Sequence, residues 1–374
     1  MQAAPQNTFG QVAIELGILT PDRVVQAVQI QRSLFEQQNV KKRLGEILLE
    51  RGWMTAQQVQ KVYEEQGRRG VHSQIAGYKV LQKIGQGAMG SVFKAHQVSM
   101  DRVVAVKVLT PQYAQNERFV ERFFREARAV AKLNHPNIIQ GIDVGVSNGV
   151  HYFAMEYIDG PTVGQLLKRG GALDEKRSIN VVLQIAQALD HAHRLGLVHR
   201  DIKPENVMLT RAGVAKLCDL GLAKLSQKGD SNHTDPGASM GTPNYISPEQ
   251  ARGAEEVDIR ADIYSLGATF FHMVVGEVPY PSENAAVAIA KHLTEELQPP
   301  RERNPLVSAD VSYVIVKMMK KDRAERYQVP SELIADLEKI TAGQPVAPVE
   351  RPAEARPRHQ RMMRGVMRRR WHRR

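Results

Sequence analysis

The stretch "VHRDIKPENVML", Val198 to Leu209, places a carboxylate, an ammonium and a carboxamide within six residues of one another. Asp201 can orient a hydroxyl and accept its proton, Lys203 can neutralise a terminal phosphate, and Asn206 can offer an amide oxygen to a divalent cation. Eighteen residues beyond Asp201, in "LCDLG", Asp219 supplies the hard carboxylate oxygen that Mg²⁺ prefers. These roles are what phosphoryl transfer demands: a nucleophile held in line, its proton accepted, and phosphate charge offset by metal.

A phosphate donor needs a cradle, and "IGQGAMGSV" offers one: Ile84, Gly85, Gln86, Gly87, Ala88, Met89, Gly90, Ser91 and Val92 lie between two predicted strands. Glycine lets a backbone approach phosphates and aim its N–H groups at them. Alone, such a loop is equally a tight turn. The order that follows decides between the two readings. Lys107 lies on the next predicted strand, "VAVKVL", and its ammonium is costly to bury without an anionic partner. Glu126, on the one strong helix of this region, is the expected partner.

Those groups must be positioned by two kinds of element. From Tyr78 to about Met155 the β-branched runs "YKVLQKIG", "SVFKAHQ", "VVAVKVL" and "HYFAMEY" predict strands, interrupted by a helix over 118–133. From Gly160 to Ile340 the pattern turns mainly helical. Ahead of both lies a repeat at an offset of 35, in which "FGQVAIELGILTPDRVVQAVQIQ" from Phe9 realigns with "LGEILLERGWMTAQQVQKVYEEQ" from Leu44. Each copy predicts a short helix stopped at Gly17 or Gly52, then a helix capped by Thr20 or Thr55. The division expected is a helical module over 1–70, a linker over 71–77, a strand-rich lobe over 78–154, a hinge over 155–159, a helical lobe over 160–340, and an unstructured tail over 341–374.

With "GTPNYISPEQARG", "DIYSLG" and "RAERYQ" following in order, residues 78–340 resemble a serine/threonine protein kinase of the bacterial type related to the eukaryotic enzymes. The resemblance implies an α+β, two-lobed kinase fold, with ATP and Mg²⁺ (Mn²⁺ being the other divalent ion considered) as cofactors. It places Ala105, Met155 and Met208 around the adenine and makes Glu156 to Ile158 a hinge offering backbone hydrogen bonds. It also implies a structural pair of Glu249 with Arg326, and Asp262 as a brace for the catalytic loop. Lys203 together with Thr242 resembles the branch that phosphorylates serine and threonine. Arg200 would pair with a phosphate on the loop that carries Ser231, Thr234 and Ser239.

Where the family usually has Asp-Phe-Gly, this chain has Asp219-Leu220-Gly221. Leucine is apolar and flexible, and such swaps usually cost under about 1.5 kcal/mol. Lys107, Asp201 and Asp219 are all present, which favours a catalyst over the alternative, a nucleotide-binding pseudokinase scaffold. The repeats resemble, less strongly, the N-terminal domain of type II secretion ATPases, some of which bind cyclic di-GMP. Thr8-Phe9-Gly10 stands where the second copy has Arg43-Leu44-Gly45.

Composition sets the remaining limits. The net charge of +11 is concentrated in residues 351–374, where ten arginines face the single acid Glu354. Such a block points to a polyanion, nucleic acid or an anionic membrane surface, as partner. Protein substrates, a protein or cyclic di-GMP ligand of the repeats, and a transient dimer of kinase domains complete the expected partners. One cysteine, Cys218, excludes an intrachain disulfide, and no apolar run is long enough to cross a bilayer. A cytoplasmic protein is expected.

Overall fold

The computed structural model describes residues 8–38, 42–72, 75–87, 90–219 and 243–347. Its first four helices are α1 (Phe9–Glu15), α2 (Pro21–Gln38), α3 (Leu44–Glu50) and α4 (Ala56–His72). Helices α1 and α3 end at Gly17 and Gly52, both left-handed with φ of 68° and 65°, a conformation that disfavours side chains. Thr55 and Gln58 close a reciprocal cap at the start of α4, with N–H to side-chain oxygen distances of 2.8 and 3.2 Å. The repeat is visible in the packing as well. A Cβ at Gly10 would lie 2.4 Å from Val24, and one at the equivalent Gly45 would lie 3.1 Å from Val59. The two copies then pack crosswise, α1 on α4 and α2 on α3, around Phe9, Val12, Ala27, Leu48, Met54 and Val62.

Helix α4 runs to His72, into the stretch read as a linker. That reading needs a second correction, because Ile75 is buried in the core of the following sheet with Tyr78, Val80 and Phe93. The Ala76 N–H also donates to Ser147 Oγ at 2.9 Å. A polar surrounding sequence concealed one apolar anchor.

The sheet is antiparallel with strand order β1-β2-β3-β5-β4. Its strands are β1 (Tyr78–Gln86), β2 (Gly90–Gln97), β3 (Arg102–Leu109), β4 (Gly141–Ser147) and β5 (Val150–Glu156). A short helix α5 (Pro111–Ala114) precedes α6 (Glu117–Ala131), whose buried residues Phe123, Ala127 and Val130 join the main core. Strand β4 has no counterpart among the sequence-predicted runs; its glycines and Asp143 dilute the β signal, and its pairing with β5 is a tertiary effect.

The helical lobe comprises α7 (Val163–Gly170), α8 (Glu175–Arg194), the hairpin β6 (Val207–Leu209) and β7 (Ala215–Leu217), then α9 (Pro248–Ala251), α10 (Ile259–Val275), α11 (Ala285–Thr294), α12 (Pro300–Arg303), α13 (Ala309–Met318) and α14 (Pro330–Thr341). Helix α10 is buried along nearly its whole length and packs on α8 and α13. The expectation of an unstructured chain from residue 341 is corrected up to residue 347. Val346 packs against the main core, and the N–H groups of Val346 and Ala347 both donate to Asp310 Oδ1 at 2.7 Å. The arginine block lies outside the described residues. Among those described, no helix is long and apolar enough to cross a membrane.

Candidate active site

The catalytic-loop candidates converge on one carboxylate. Lys203 Nζ lies 2.7 Å from Asp201 Oδ2. Asn206 Nδ2 donates both to the Asp201 carbonyl oxygen, at 2.8 Å, and to Asp201 Oδ2, at 3.0 Å. With its amide nitrogen committed to Asp201, Asn206 has its Oδ1 left to accept from or ligate another group. The Cys218 N–H donates to the Asn206 carbonyl oxygen at 2.9 Å, which sets Asp219 beside Asn206. One carboxylate and one amide oxygen with room for water suit a small hard cation of the Mg²⁺ type.

Lys107 reaches across from β3 to this cluster: its ammonium lies 2.8 Å from Asp219 Oδ1. The pair spans a boundary, Lys107 being 19% exposed and Asp219 51%. Burial pulls the Lys107 pKa down, but Asp219 and then Glu126 outweigh it and leave the ammonium above its ordinary value. Burial would raise the Asp219 pKa, yet Lys107 holds it below the usual carboxylate range. Glu126 forms no ion pair among the described residues. It acts on Lys107 through the field alone, and burial pushes its own carboxyl up to about 7. The expected partnership of Lys107 with Glu126 is thus replaced in this structure by Lys107 with Asp219, because α6 holds Glu126 farther from the ammonium than the β7 end holds Asp219.

The glycine loop divides into two functions. A Cβ at Gly90 would fall 2.1 Å from the Val108 carbonyl oxygen, so this glycine is required by the close approach of β2 and β3. At Gly85 and Gly87 a Cβ would meet only ordinary contacts beyond 3.6 Å, so the space above them is open to phosphates. The Gly87 N–H donates to the Gly90 carbonyl oxygen at 2.8 Å, and Ser91 Oγ donates to Gln86 Oε1 at 2.8 Å. Ile84 is exposed at the mouth, Val92 is half-buried, and Ala88 and Met89 lie outside the described residues. Ala105 and Met155 are paired across β3 and β5, both buried. Met208 on β6 bridges to Thr162 in the helical lobe. Glu156 ends β5, and Ile158 is buried two residues on with no main-chain hydrogen bond among the described residues.

Behind the loop stands a brace. Asp262 on α10, fully buried, accepts the His199 N–H through Oδ2 and the Arg200 N–H through Oδ1, each at 2.7 Å. Burial pushes its carboxyl up to about 7 against the pull of those two N–H groups. Arg200 and Asp219 are held left-handed, with φ of 67° and 51°, an uncommon state for residues with side chains that the surrounding bonds must fix. His199 was missed by sequence reasoning, although its place in "HRD" is a signal. Its Nδ1 accepts the Asp201 N–H at 3.3 Å, which assigns the proton to Nε2, donating to the Cys218 carbonyl oxygen at 3.0 Å. Burial holds this imidazole down at about 4, so it stays neutral and ties Asp201 to the segment of Asp219. Gln250, also missed, donates to the Arg200 carbonyl oxygen at 2.9 Å.

The Glu249–Arg326 pair forms as two parallel bonds of 2.8 and 2.9 Å, nearly devoid of solvent. Burial raises the Cys218 thiol far above its ordinary value and keeps it protonated. Leu220, Gly221, Ser231, Thr234, Ser239 and Thr242 lie outside the described residues.

Residues 78–336 match the protein kinase domain family. The chain belongs to that family. It is 38% identical over 290 residues to a probable serine/threonine-protein kinase of Clostridium perfringens, covering 78% of this chain and 42% of that protein. Identity to the serine/threonine-protein kinase PrkC of Bacillus subtilis is 36% over 268 residues, 71% of this chain and 41% of PrkC. PknB of Mycobacterium tuberculosis, also a serine/threonine-protein kinase, is 36% identical over 272 residues, 72% of this chain and 43% of PknB. The chain therefore spans less than half the length of these relatives. Among solved structures, the kinase domain of Mycobacterium tuberculosis PknI superposes with a TM-score of 0.55 at 29% identity, over 71% of this chain and 96% of that one. The family's two-lobed fold, preceded by a helical module, is the architecture described above, and its members use ATP and a divalent metal.

Proposed function

We propose that this protein is an ATP-dependent serine/threonine protein kinase that transfers the γ-phosphoryl group of ATP to hydroxyls of protein substrates. The observation that carries the reading is the convergence of Lys203 and Asn206 on Asp201 with Lys107 on Asp219, at 2.7 to 3.0 Å, beside an open glycine loop. In this reading the oxygen of a substrate hydroxyl forms a bond to the γ-phosphorus as the bond from that phosphorus to the ADP oxygen breaks. Asp201 orients the hydroxyl and receives its proton. Lys203 offsets charge on the transferring group, and Lys107 positions the donor's inner phosphates. Asn206 Oδ1 and Asp219 would hold Mg²⁺, or Mn²⁺ in its place. That ion supplies charge neutralisation on the phosphates. Ala105, Met155 and Met208 would enclose the adenine, and the backbone from Glu156 to Ile158 would bond its edge.

The same proposal assigns residues 1–70 to docking or sensing, of a protein or of cyclic di-GMP, and residues 78–340 to catalysis. It makes the arginine block beyond residue 350 a tether to a polyanion, allows a transient kinase dimer, and places the protein in the cytoplasm. Autophosphorylation between Ser226 and Ser239, with Thr234 leading, would engage Arg200 through charge-assisted hydrogen bonds. The test is transfer of radiolabel from ATP to the protein itself or to a generic basic protein, comparing wild type with Asp201→Asn. Transfer by wild type alone supports the reading. Nucleotide binding with no transfer by wild type would leave the scaffold reading in its place.

A further inference from the structure

The hinge after β5 is fastened from both lobes by lysines that the catalytic roles do not use. Glu156 ends β5, and residues 157–159 belong to no strand or helix. From the helical lobe, Lys216 on β7 places its ammonium 2.9 Å from Glu156 Oε2. That contact is shielded, Lys216 being 14% and Glu156 32% exposed. The same Glu156 oxygen accepts the Gln140 N–H at 3.3 Å, while the Glu156 N–H donates to the Gln140 carbonyl oxygen at 2.9 Å. From the sheet lobe, Lys94 on β2 stands over the Tyr157 ring, 4.4 Å from its centre.

Lys216 has a second attachment through its own backbone. It is the middle residue of the hairpin strand β7, paired with Met208, and Asp219 follows three residues later. The chain between them is held at both ends: Leu217 N–H donates to the Asn137 carbonyl oxygen at 2.8 Å, and Cys218 N–H to that of Asn206 at 2.9 Å. Lys216 and Asp219 therefore lie on one short segment that Asn137 and Asn206 hold in place.

We infer that the Lys216–Glu156 ion pair is a positioning device that fixes the distance between the base-binding edge of the hinge and Asp219. The inference rests on the kinase reading, and deepens it. A nucleotide has a set span from base to phosphates, so the hinge and Asp219 serve one molecule only if they are held at one separation. An isolated pair on the surface would contribute little. This one is mostly withdrawn from water, and removing one partner leaves a shielded charge uncompensated. Lys216 touches neither phosphate nor metal in this scheme; it acts through Glu156 and Asp219.

The experiment measures binding, so it needs no turnover. Calorimetry on the full chain, with the transfer-deficient Asp201→Asn background as a parallel series, compares adenosine with a non-hydrolysable ATP analogue plus Mg²⁺. Lys216→Met is expected to weaken the magnesium analogue complex about tenfold while changing adenosine binding by less than about threefold, and to raise the Mg²⁺ concentration needed for half-maximal analogue binding. Lys216→Arg, which keeps the charge, is expected to recover most of the loss. Equal losses for adenosine and analogue would overturn the inference, since they would mean a pair that only shapes the hinge. Unchanged affinities would overturn it also. If Lys216→Met does not fold, Glu156→Gln carries the test: it keeps the side-chain volume and an acceptor for Gln140, and should shift the same ratio in the same direction. A ratio unmoved in Glu156→Gln would count against the inference. Failure of the kinase reading would show separately, as an absence of radiolabel transfer by wild type with this binding ratio intact.

Discussion

The Lys107 ammonium and the Asp219 carboxylate meet at 2.8 Å across 112 residues of sequence, joining the third strand of the sheet to the end of the β7 segment. The contact ties the proposed phosphate-positioning group to a proposed metal ligand, so each defines the other's place. Lys107→Met is therefore expected to lower phosphotransfer by at least about a hundredfold, as is Asp201→Asn, which removes the proposed proton acceptor. Both side chains lie at the edge of the cleft outside the apolar core clusters, and neither substitution removes a core hydrophobe, so thermal midpoints should stay within a few degrees of wild type. Initial rates at saturating ATP, with a melt of each variant, check this; full activity in either variant would sink the assignment.

Glu126 gives stability a pH dependence of defined sign. Its carboxyl rises from an ordinary value of 4.5 to about 7 on folding, chiefly through burial. Across that window the folded protein holds a proton that the unfolded chain has released, so this group's contribution falls as pH rises from 4.5 to about 7 and is level above. Its slope is at most about 1.4 kcal/mol per pH unit. Glu126→Gln should remove that part of the slope. Urea midpoints taken from pH 4.5 to pH 8 on both proteins measure it, and parallel curves would contradict the assigned environment. His199, held neutral by burial at about 4, contributes the opposite slope at acid pH and does so in both proteins.

Much of this site was legible because its chemistry is written in short, ordered motifs: Asp201, Lys203 and Asn206 lie within six residues, and local chain geometry brings them together. The partner of Lys107 was not legible, since Glu126 and Asp219 are both acids in the right order and only the placement of α6 against β7 chooses between them. Gly90 illustrates a second limit: sequence assigns it to phosphate, whereas its lack of a side chain is forced by the Val108 carbonyl oxygen. Ile75 and β4 illustrate a third. One buried isoleucine in a polar run, and a strand carrying Gly141, Asp143 and Gly145, derive their structure from neighbours far along the chain. Asp143 accepts the hydroxyls of Tyr78 and Tyr152 at 3.0 and 2.8 Å, a network without a local pattern.

Arg326 and Glu249 make the stability prediction. Arg326 donates to both Glu249 oxygens and to the carbonyl oxygens of Lys320, Arg260 and Lys321, at 2.7 to 3.2 Å. Arg326→Met strips all five bonds and leaves a buried carboxylate alone, which costs about 3 to 5 kcal/mol. Denaturant unfolding should show this as a lower midpoint with little change in slope. A loss under about 1 kcal/mol would mean that water reaches the pair.

The last prediction separates the C-terminal strap from the arginine block. Ending the chain after Ala347 retains both N–H bonds to Asp310 and the packing of Val346, so stability and peptide phosphorylation should match the full protein. The ten arginines from Arg351 onward are lost, and with them any binding to nucleic acid or acidic vesicles. In the full chain that binding should weaken with salt, with a log-log slope of about several units. Ending the chain after Ile340 goes further: Asp310 loses two donors and the core loses Val346. This shorter protein should be about 1 to 2 kcal/mol less stable than the one ending at Ala347, from the lost hydrogen bonds and apolar contact. Equal stability of the two truncations would show the strap to be dispensable, and polyanion binding that survives the loss of residues 348–374 would eliminate the tether.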